Sequence, residues 1–472
     1  KLASAFDAAM TAQSGGPCLT EPSLGALVPS NFSPLLFEWN AGAGQNVFEL
    51  VISSENQRSP LRVYTDKLSF TPESAQWKAL VSHSLDRDLK ITIRGGAWQN
   101  GVLSAVSAGS SGVVRIAPAA ALGAIVYWTT SNGSALKGFY IGDSSVRTVV
   151  TPAGITAQGK TTACVGCHAS APDGILTFFA RSEPGFSVDV RQVDGSNRGP
   201  TDITQNALTN LARTNQTLPT LSPGHYSASD AVVITSFLTN NRFELAWTDL
   251  RAQSGGTGIL ARTGDSRGAA TPAWNHRGDT VAYSSASSVV DGRVDTGVGE
   301  VWTVPYADRK GGAATALAGA TTADTNSYYP VYAPGDAFLA FNRNRRGDNM
   351  YNSASAEVFV IPAAGGSATR LAGNDPPACG SFKSPGITNS WPRWAPDSTK
   401  VGARRYYWVV FSSIRRRGGQ PQLFLSGVTT TQSETQGEVL EKTYPALYIT
   451  TQPEGEANHT PAWDQFRIPG PG

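Results

Sequence analysis

Residues 271–284 read Thr271-Pro272-Ala273-Trp274-Asn275-His276-Arg277-Gly278-Asp279, followed by the apolar run Thr280-Val281-Ala282-Tyr283-Ser284. This unit recurs along most of the 472-residue chain. A turn rich in Gly and Asp between two apolar segments is typical of a β-hairpin, because glycine tolerates positive φ. Further copies are Leu218-Pro219-Thr220-Leu221-Ser222-Pro223-Gly224, Tyr329-Pro330-Val331-Tyr332-Ala333-Pro334-Gly335-Asp336, Trp391-Pro392-Arg393-Trp394-Ala395-Pro396-Asp397 and Thr460-Pro461-Ala462-Trp463-Asp464. Such a repeat predicts stacked supersecondary units.

The shared pattern of these copies, Pro-x-Trp-Ser-Pro-Asp-Gly, resembles the repeat of the TolB-like β-propeller family. The resemblance covers residues 124–466 and implies six four-stranded blades around a central axis. The last copy, at Pro461, leaves no room for the strands that should follow it, whereas the strands from residue 124 lack a preceding copy. We therefore expect the C-terminal strand to complete blade one and close the ring, which removes exposed sheet edges.

The N-terminal part carries a different pattern. Residues 30–123 contain short alternating apolar runs separated by polar turns, which predicts a β-sandwich. The order of Phe37, Trp39, Trp77 and the run at residues 91–94 resembles fibronectin type III and related immunoglobulin-like modules. Residues 1–29 are expected to form an extended lead-in and residues 467–472 a tail. The predicted fold is all-β, with an N-terminal β-sandwich before a six-bladed β-propeller.

Blade two carries Cys164-Val165-Gly166-Cys167-His168, which has the Cys-x-x-Cys-His spacing of a c-type haem attachment site. In such a site two thiols add to the two vinyl groups of one porphyrin, and the adjacent histidine ligates iron. A redox-active cysteine pair or half of a zinc site is the alternative. Zinc would need a second Cys/His pair, and a thioredoxin-like motif would need a βαβ pattern. Neither is visible, so we expect one covalent haem c with His168 as the proximal iron ligand.

The sixth iron ligand is predicted from the register of the repeat. His168 stands at the proline position of an innermost strand, which places haem at one mouth of the central channel. His459 lies two residues before Pro461 at the start of the closing strand, and residues two apart on a strand point the same way. We therefore expect His459 as the distal ligand. Met350, in a blade-five insertion, is the competing candidate, and an open or water-bound iron is the third possibility.

The other two cysteines, Cys18 and Cys379, are isolated in the sequence. We expect them to form a disulfide in an oxidising compartment, with two buried free thiols as the alternative. Charged residues make up only 16% of the chain and the formal net charge is +2, which argues against an electrostatic nucleic-acid binder. No stretch approaches the ~20 apolar residues of a transmembrane helix. Residues 1–20 do not show a signal-peptide pattern, and we expect the sequence to be that of a mature exported form.

These features favour an extracytoplasmic monohaem c-type cytochrome that transfers single electrons. Redox partner proteins would be other cytochromes or a membrane electron-transfer complex, and assembly with further subunits is possible. The alternative is a periplasmic or cell-surface binding or structural propeller, in which haem is stabilising or sensory. An enzyme is the third hypothesis, but no nucleophile elbow, His-Glu-x-x-His motif, Walker loop or Rossmann fingerprint occurs in the sequence.

Overall fold

Six antiparallel sheets form the larger part of the molecule, which is described by a computed structural model over residues 1–182 and 185–469. We number these sheets as blades one to six and give their strands from the innermost outwards. Blade one comprises Asn458–Asp464, Ala124–Thr129, Ala135–Tyr140 and Arg147–Val150, and blade two comprises Val165–Ser170, Leu176–Arg181 and Ser187–Gln192. Blade three comprises Gln216–Tyr226, Ala231–Thr239, Arg242–Asp249 and Thr257–Ile259, and blade four comprises Gly268–Trp274, Thr280–Ala286, Gly299–Pro305 and Thr315–Ala316. Blade five comprises Thr325–Tyr332, Phe338–Arg345, Glu357–Pro362 and Thr369–Arg370, and blade six comprises Ser390–Trp394, Arg404–Ser413, Gln422–Ser433 and Gly437–Thr443.

The innermost strands close into a ring. Each contacts the innermost strand of the next blade, and that of blade six contacts that of blade one. Blade one is completed by the C-terminal strand Asn458–Asp464, which pairs antiparallel with Ala124–Thr129. This arrangement fits a closed six-bladed β-propeller, as the repeat predicts, but blade two has three strands among the described residues where four were expected.

Smaller elements connect or extend the blades. A hairpin is inserted in blade four, and short helices lie between successive blades in the chain. These elements are the helices Pro152–Ala157 and Gln205–Leu211, the 3-10 turns Ser131–Gly133 and Ala372–Asn374, and the strands Arg262–Thr263, Val289–Val290, Arg293–Val294, Gly312–Ala313, Thr399–Val401 and Leu447–Tyr448. None of the helices within residues 1–182 and 185–469 is long and apolar enough to span a membrane.

The N-terminal module is a sandwich of two sheets. One contains Cys18–Glu21, Phe37–Asn40 and Ser69–Phe70; the other contains Leu27–Val28, Val102–Ile116, Arg87–Gln99, Val47–Ser53 and Leu61–Thr65. A helix, Ser74–Ser82, carries the buried Trp77, whose indole N–H donates to the Phe32 carbonyl at 2.8 Å.

The expectation of an extended lead-in over residues 1–29 needs correction. This segment contains the helix Leu2–Ala8 and contributes the strands Cys18–Glu21 and Leu27–Val28 to the sandwich. The helix forms because Phe6 packs in a small apolar cluster with Val47 and Val106, which a periodicity search over so short a segment misses. The predicted tail, residues 467–472, lies only in part within the described residues.

The sandwich shares its core with the propeller. Trp77 of the sandwich helix, Trp408 of blade six and Trp463 of the closing strand belong to one apolar cluster. The Trp408 indole also donates to the Ala120 carbonyl at 3.1 Å. Burying these large aromatic surfaces together holds the sandwich against blades one and six.

A disulfide joins Cys18 to Cys379, as expected, with a Cα–Cα distance of 5.4 Å and a sequence separation of 361. Cys18 begins a sandwich strand, whereas Cys379 lies in the connection between blades five and six. The bond therefore ties the N-terminal module covalently to the propeller.

We predict that replacing both bonded cysteines, as Cys18→Ser/Cys379→Ser, lowers the free energy of unfolding by about 2–4 kcal/mol, because the unfolded chain regains the conformations that the cross-link excludes. Urea unfolding followed by tryptophan fluorescence measures the change. Reductant should lower the wild-type midpoint to that of the variant and leave the variant unchanged. A variant with the oxidised wild-type midpoint would show that the bond contributes nothing to stability.

Candidate functional site

The innermost strands share a distortion that shapes the central channel. In each of the six, one residue has positive φ and the pairing register shifts at or beside it. These residues are Cys167, Leu218, Thr271, Tyr329, Trp391 and Thr460, with φ of 40°, 53°, 48°, 54°, 58° and 43°. Proline follows in five blades, where its missing N–H suits a position that leaves the ladder, and His168 follows in blade two.

All six of these residues border one cavity of about 340 Å³ in the channel. The same cavity reaches His276 and the turn residues Pro172, Pro223 and Pro396 at its other end. Tyr329 and Trp391 stack with ring centroids 3.7 Å apart and form part of the wall. The channel is therefore a bounded site whose lining combines aliphatic and aromatic side chains with polar groups, as is common for small-molecule sites.

The two motif cysteines are free thiols at the Cys167 end of this cavity. Cys167 borders the cavity itself, while the Cys164 Sγ lies 3.5 Å from the Ser134 Oγ. Burial raises the pKa of Cys167 to about 11 and also raises the pKa of Cys164. Both groups are thus protonated at neutral pH, and neither is a poised redox thiolate of the kind that a lowered pKa produces.

His168 borders the same cavity as Cys167, and its ring is buried between blades one and two. The Nε2 atom lies 2.9 Å from the Val126 carbonyl oxygen. Because a carbonyl only accepts, this contact assigns the proton to Nε2 and leaves the lone pair on Nδ1. The Nδ1 atom is buried and has no hydrogen-bond partner within the described part of the chain. Burial lowers the pKa of His168 to about 4, so the ring is neutral at physiological pH.

These observations test the fit of the residues to haem c. The set consists of two unpaired thiols and a neutral imidazole with an unused nitrogen, and two of these three groups border one cavity. That is the chemistry of a covalent haem anchor. In this conformation, however, His168 uses Nε2 to hold a strand of blade one, and only Nδ1 is unengaged.

His459 is not brought to the cavity. Its neighbours Thr460 and Pro461 border the cavity, whereas its own ring lies 4.5 Å from that of Trp128, its partner across the strand pair. The Trp128 ring also covers Gly166, where an added Cβ would lie 3.2 Å from the indole. Trp128 therefore stands between His459 and the cysteine motif, and the role of His459 as distal ligand stays a prediction.

Met350 is a core residue in this structure. It is fully buried in an apolar cluster with Tyr328, Tyr329 and Trp391, and it does not border the cavity. Its backbone N–H donates to the Asp295 carbonyl at 2.8 Å, which ties the blade-five insertion to that of blade four. The structure thus gives Met350 a packing role and leaves its role as a competing iron ligand untested.

Two groups that sequence reasoning missed lie near Cys167. Arg293, in the inserted hairpin of blade four, stands over the Tyr351 ring at 4.6 Å, and its charge opposes the rise in the Cys167 pKa. Arg393, on the innermost strand of blade six, borders the cavity and acts on Cys167 in the same direction. Arg393 could have been singled out from the sequence, because the other repeat copies carry an uncharged residue at its position. The position of Arg293 near Cys167 could not, because it depends on how the insertion folds.

Comparisons with known proteins add little beyond this geometry. No protein-family model and no curated protein matches the chain. Among solved structures, a putative TolB from Agrobacterium tumefaciens is 13% identical with a TM-score of 0.37, covering 71% of this chain and 96% of that one. A puromycin-hydrolyzing peptidase from Mycobacterium tuberculosis is 13% identical with a TM-score of 0.33, covering 75% of this chain and 51% of that one. Similarities of this size carry no argument about function, and the propeller description rests on the strand pairings.

We predict that Cys167 in the folded, haem-free protein is alkylated slowly by iodoacetamide. With a pKa of about 11, only about one thiol in a thousand is ionised at pH 8. The rate should rise about tenfold per pH unit between pH 7 and 9, because the thiolate fraction does so below the pKa. Peptide mass spectrometry measures it.

The denatured chain is the control, and there both motif cysteines should react quickly with rates that level off above about pH 9, since an ordinary thiol has a pKa near 8.5. Rapid alkylation of folded Cys167 at pH 7 would contradict the assignment of a buried, protonated thiol.

Proposed function

We propose that the chain is an extracytoplasmic monohaem c-type cytochrome whose haem is held by Cys164, Cys167 and His168 in blade two of the propeller. The observation that carries the proposal is the difference between the two cysteine pairs. Cys18 and Cys379 form a disulfide, whereas Cys164 and Cys167 are free thiols in a Cys-x-x-Cys-His motif beside a cavity. Two thiols in an oxidising compartment are expected to form a disulfide unless another reaction consumes them, and thioether attachment to haem is such a reaction.

Haem bound here would supply a one-electron Fe(III)/Fe(II) couple, which is the chemistry of an electron carrier. The contributions of the protein are anchoring and orientation. Cys164 and Cys167 provide the two thioether anchors, and His168 is neutral at physiological pH, so it can ligate a metal without first losing a proton. The Ser134 hydroxyl beside Cys164 and the Trp128 ring over Gly166 hold the start of the motif strand.

The disulfide favours an oxidising compartment, which agrees with attachment of haem outside the cytoplasm. The proposed location is the periplasm, the outer-membrane surface or the extracellular space. Proposed partners are other cytochromes or a membrane electron-transfer complex. Assembly with further subunits would allow electrons to pass beyond a single pair of partners.

The alternative proposal is a protein-binding or structural propeller in which haem is stabilising or sensory. The sandwich that packs against blades one and six is the kind of module that surface proteins combine with propellers. The state of the iron separates the two proposals. An electron carrier cycles reversibly between oxidation states, whereas a stabilising haem raises the unfolding temperature without needing to exchange electrons.

We predict that protein produced with a cytochrome c maturation system carries one covalent haem per chain, because the motif supplies both thiols at the required spacing. A haem stain after denaturing electrophoresis and a pyridine haemochrome spectrum measure attachment and type. Cys164→Ala/Cys167→Ala should lose the stain, and the matched control Cys18→Ser/Cys379→Ser should retain it. Wild-type protein without covalent haem under these conditions would contradict the proposal.

A further inference from the structure

Arg393 is a charged residue at a position that is uncharged in the other five blades. The equivalent residues, one after the proline or His168, are Ala169, Thr220, Ala273, Val331 and Ala462. All six border the channel cavity. Blade six alone therefore places a cation in the wall of this cavity at that level of the ring.

The charge of Arg393 is not balanced by the protein. Its Nη1 donates to the Pro392 carbonyl at 2.9 Å, and no ion pair joins it to a carboxylate among residues 1–182 and 185–469. Asp464 is the one carboxylate in the described wall of the cavity, and it forms no ion pair with Arg393. A guanidinium has five N–H donors, so most of those on Arg393 remain for a ligand.

Removal from water disfavours the charged form, and burial lowers the pKa of Arg393 to about 10. The group nonetheless keeps its proton at neutral pH. A cation withdrawn from water is costly unless an anion joins it there. The planar fork of N–H donors matches the two oxygens of a carboxylate.

The remaining wall indicates what accompanies the carboxylate. The stacked rings of Tyr329 and Trp391 lie in the wall, with Trp394 on the strand that carries Arg393. The cavity of about 340 Å³ lies near the lower end of the range for small-molecule sites. A small organic acid is of a size to fill such a cavity, and the part of it beyond the carboxylate would meet the apolar share of the wall.

We propose that Arg393 receives the carboxylate of an organic molecule bound in the central channel, with the rest of that molecule inside the cavity. The carboxylate belongs either to a free small organic acid or to a propionate of haem attached at Cys164 and Cys167. The inference does not depend on the cytochrome proposal, because the unpaired cation and the cavity are properties of the haem-free chain.

Haem-free protein, produced without the maturation system, tests the site by titration with benzoate and with benzamide, its neutral counterpart. Tryptophan fluorescence reports binding, since Trp391 and Trp394 border the cavity. Benzoate should bind saturably with one site per chain, and benzamide about tenfold or more weakly, because the neutral amide cannot form the charge-assisted hydrogen bonds that a carboxylate makes with a guanidinium. Arg393→Met should weaken benzoate binding by a similar factor.

Arg345→Met is the matched control, because it removes one positive charge from a side chain that is 76% exposed and outside the cavity. It should bind benzoate like the wild type. Circular dichroism checks that each variant folds. If Arg393→Met does not fold, Arg393→Lys replaces it. The lysine keeps the positive charge but lacks the planar pair of N–H donors, so this variant should bind benzoate more weakly than the wild type.

The haem-loaded protein identifies the source of the carboxylate. Loss of benzoate binding there, with a lower reduction potential in Arg393→Met than in Arg345→Met, assigns the site to a haem propionate. Retained benzoate binding assigns it to a free acid. The proposal is overturned if haem-free protein binds no benzoate saturably, if benzamide binds as tightly, or if Arg393→Met binds benzoate like the wild type.

Discussion

The pairing of the C-terminal strand Asn458–Asp464 with Ala124–Thr129 is the interaction on which the rest of the structure depends. It completes blade one, and the innermost strand of blade six then contacts that of blade one, which closes the ring. It also sets Thr460 into the cavity wall and places Trp463 in the core that the sandwich shares with the blades. Without this pairing the channel would be open on one side, and the sandwich would lose much of the surface on which it packs.

A second constraint acts inside the ring. In every innermost strand a residue with positive φ turns towards the axis and interrupts the regular alternation of side chains. The six interruptions give the cavity a wall of unlike residues, among them a thiol, an aromatic pair and two threonines. Blade two differs from the others because His168 replaces proline there. Its imidazole bonds to the Val126 carbonyl of blade one, so the motif that we assign to haem attachment also joins two blades.

The sequence predicts the larger features well because they depend on repetition and on turn chemistry. The blades, the closing strand and the Cys18–Cys379 disulfide are all observed. Side-chain direction was harder to predict. The argument that placed His459 towards the haem used the strict alternation of a regular strand, and the register shift between His459 and Ala462 breaks that alternation. The helix at Leu2–Ala8 escaped notice because a single buried residue, Phe6, holds it.

The electrostatics of the channel connect the two proposals. Arg393 and Arg293 both act on Cys167, from blade six and from the blade-four insertion. Arg293 pairs with Asp291 at 3.1 Å, whereas Arg393 has no ion pair with a carboxylate of the described residues. The charge of Arg393 therefore favours an anionic occupant, and it would also favour the reduced, more negative state of a haem held nearby. The contribution of the propeller would then be to hold a cofactor or ligand in a site that carries an unbalanced positive charge.

The central claim is that the Cys-x-x-Cys-His motif of blade two carries a covalent cofactor, and intact-protein mass spectrometry tests it most directly. Protein matured with a cytochrome c assembly system, denatured and separated from non-covalent ligands, should be heavier than the polypeptide by the mass of one haem. The added mass should map to the peptide that contains Cys164 and Cys167. A mass equal to that of the bare polypeptide, with these two cysteines unmodified or joined in a disulfide, would contradict the account.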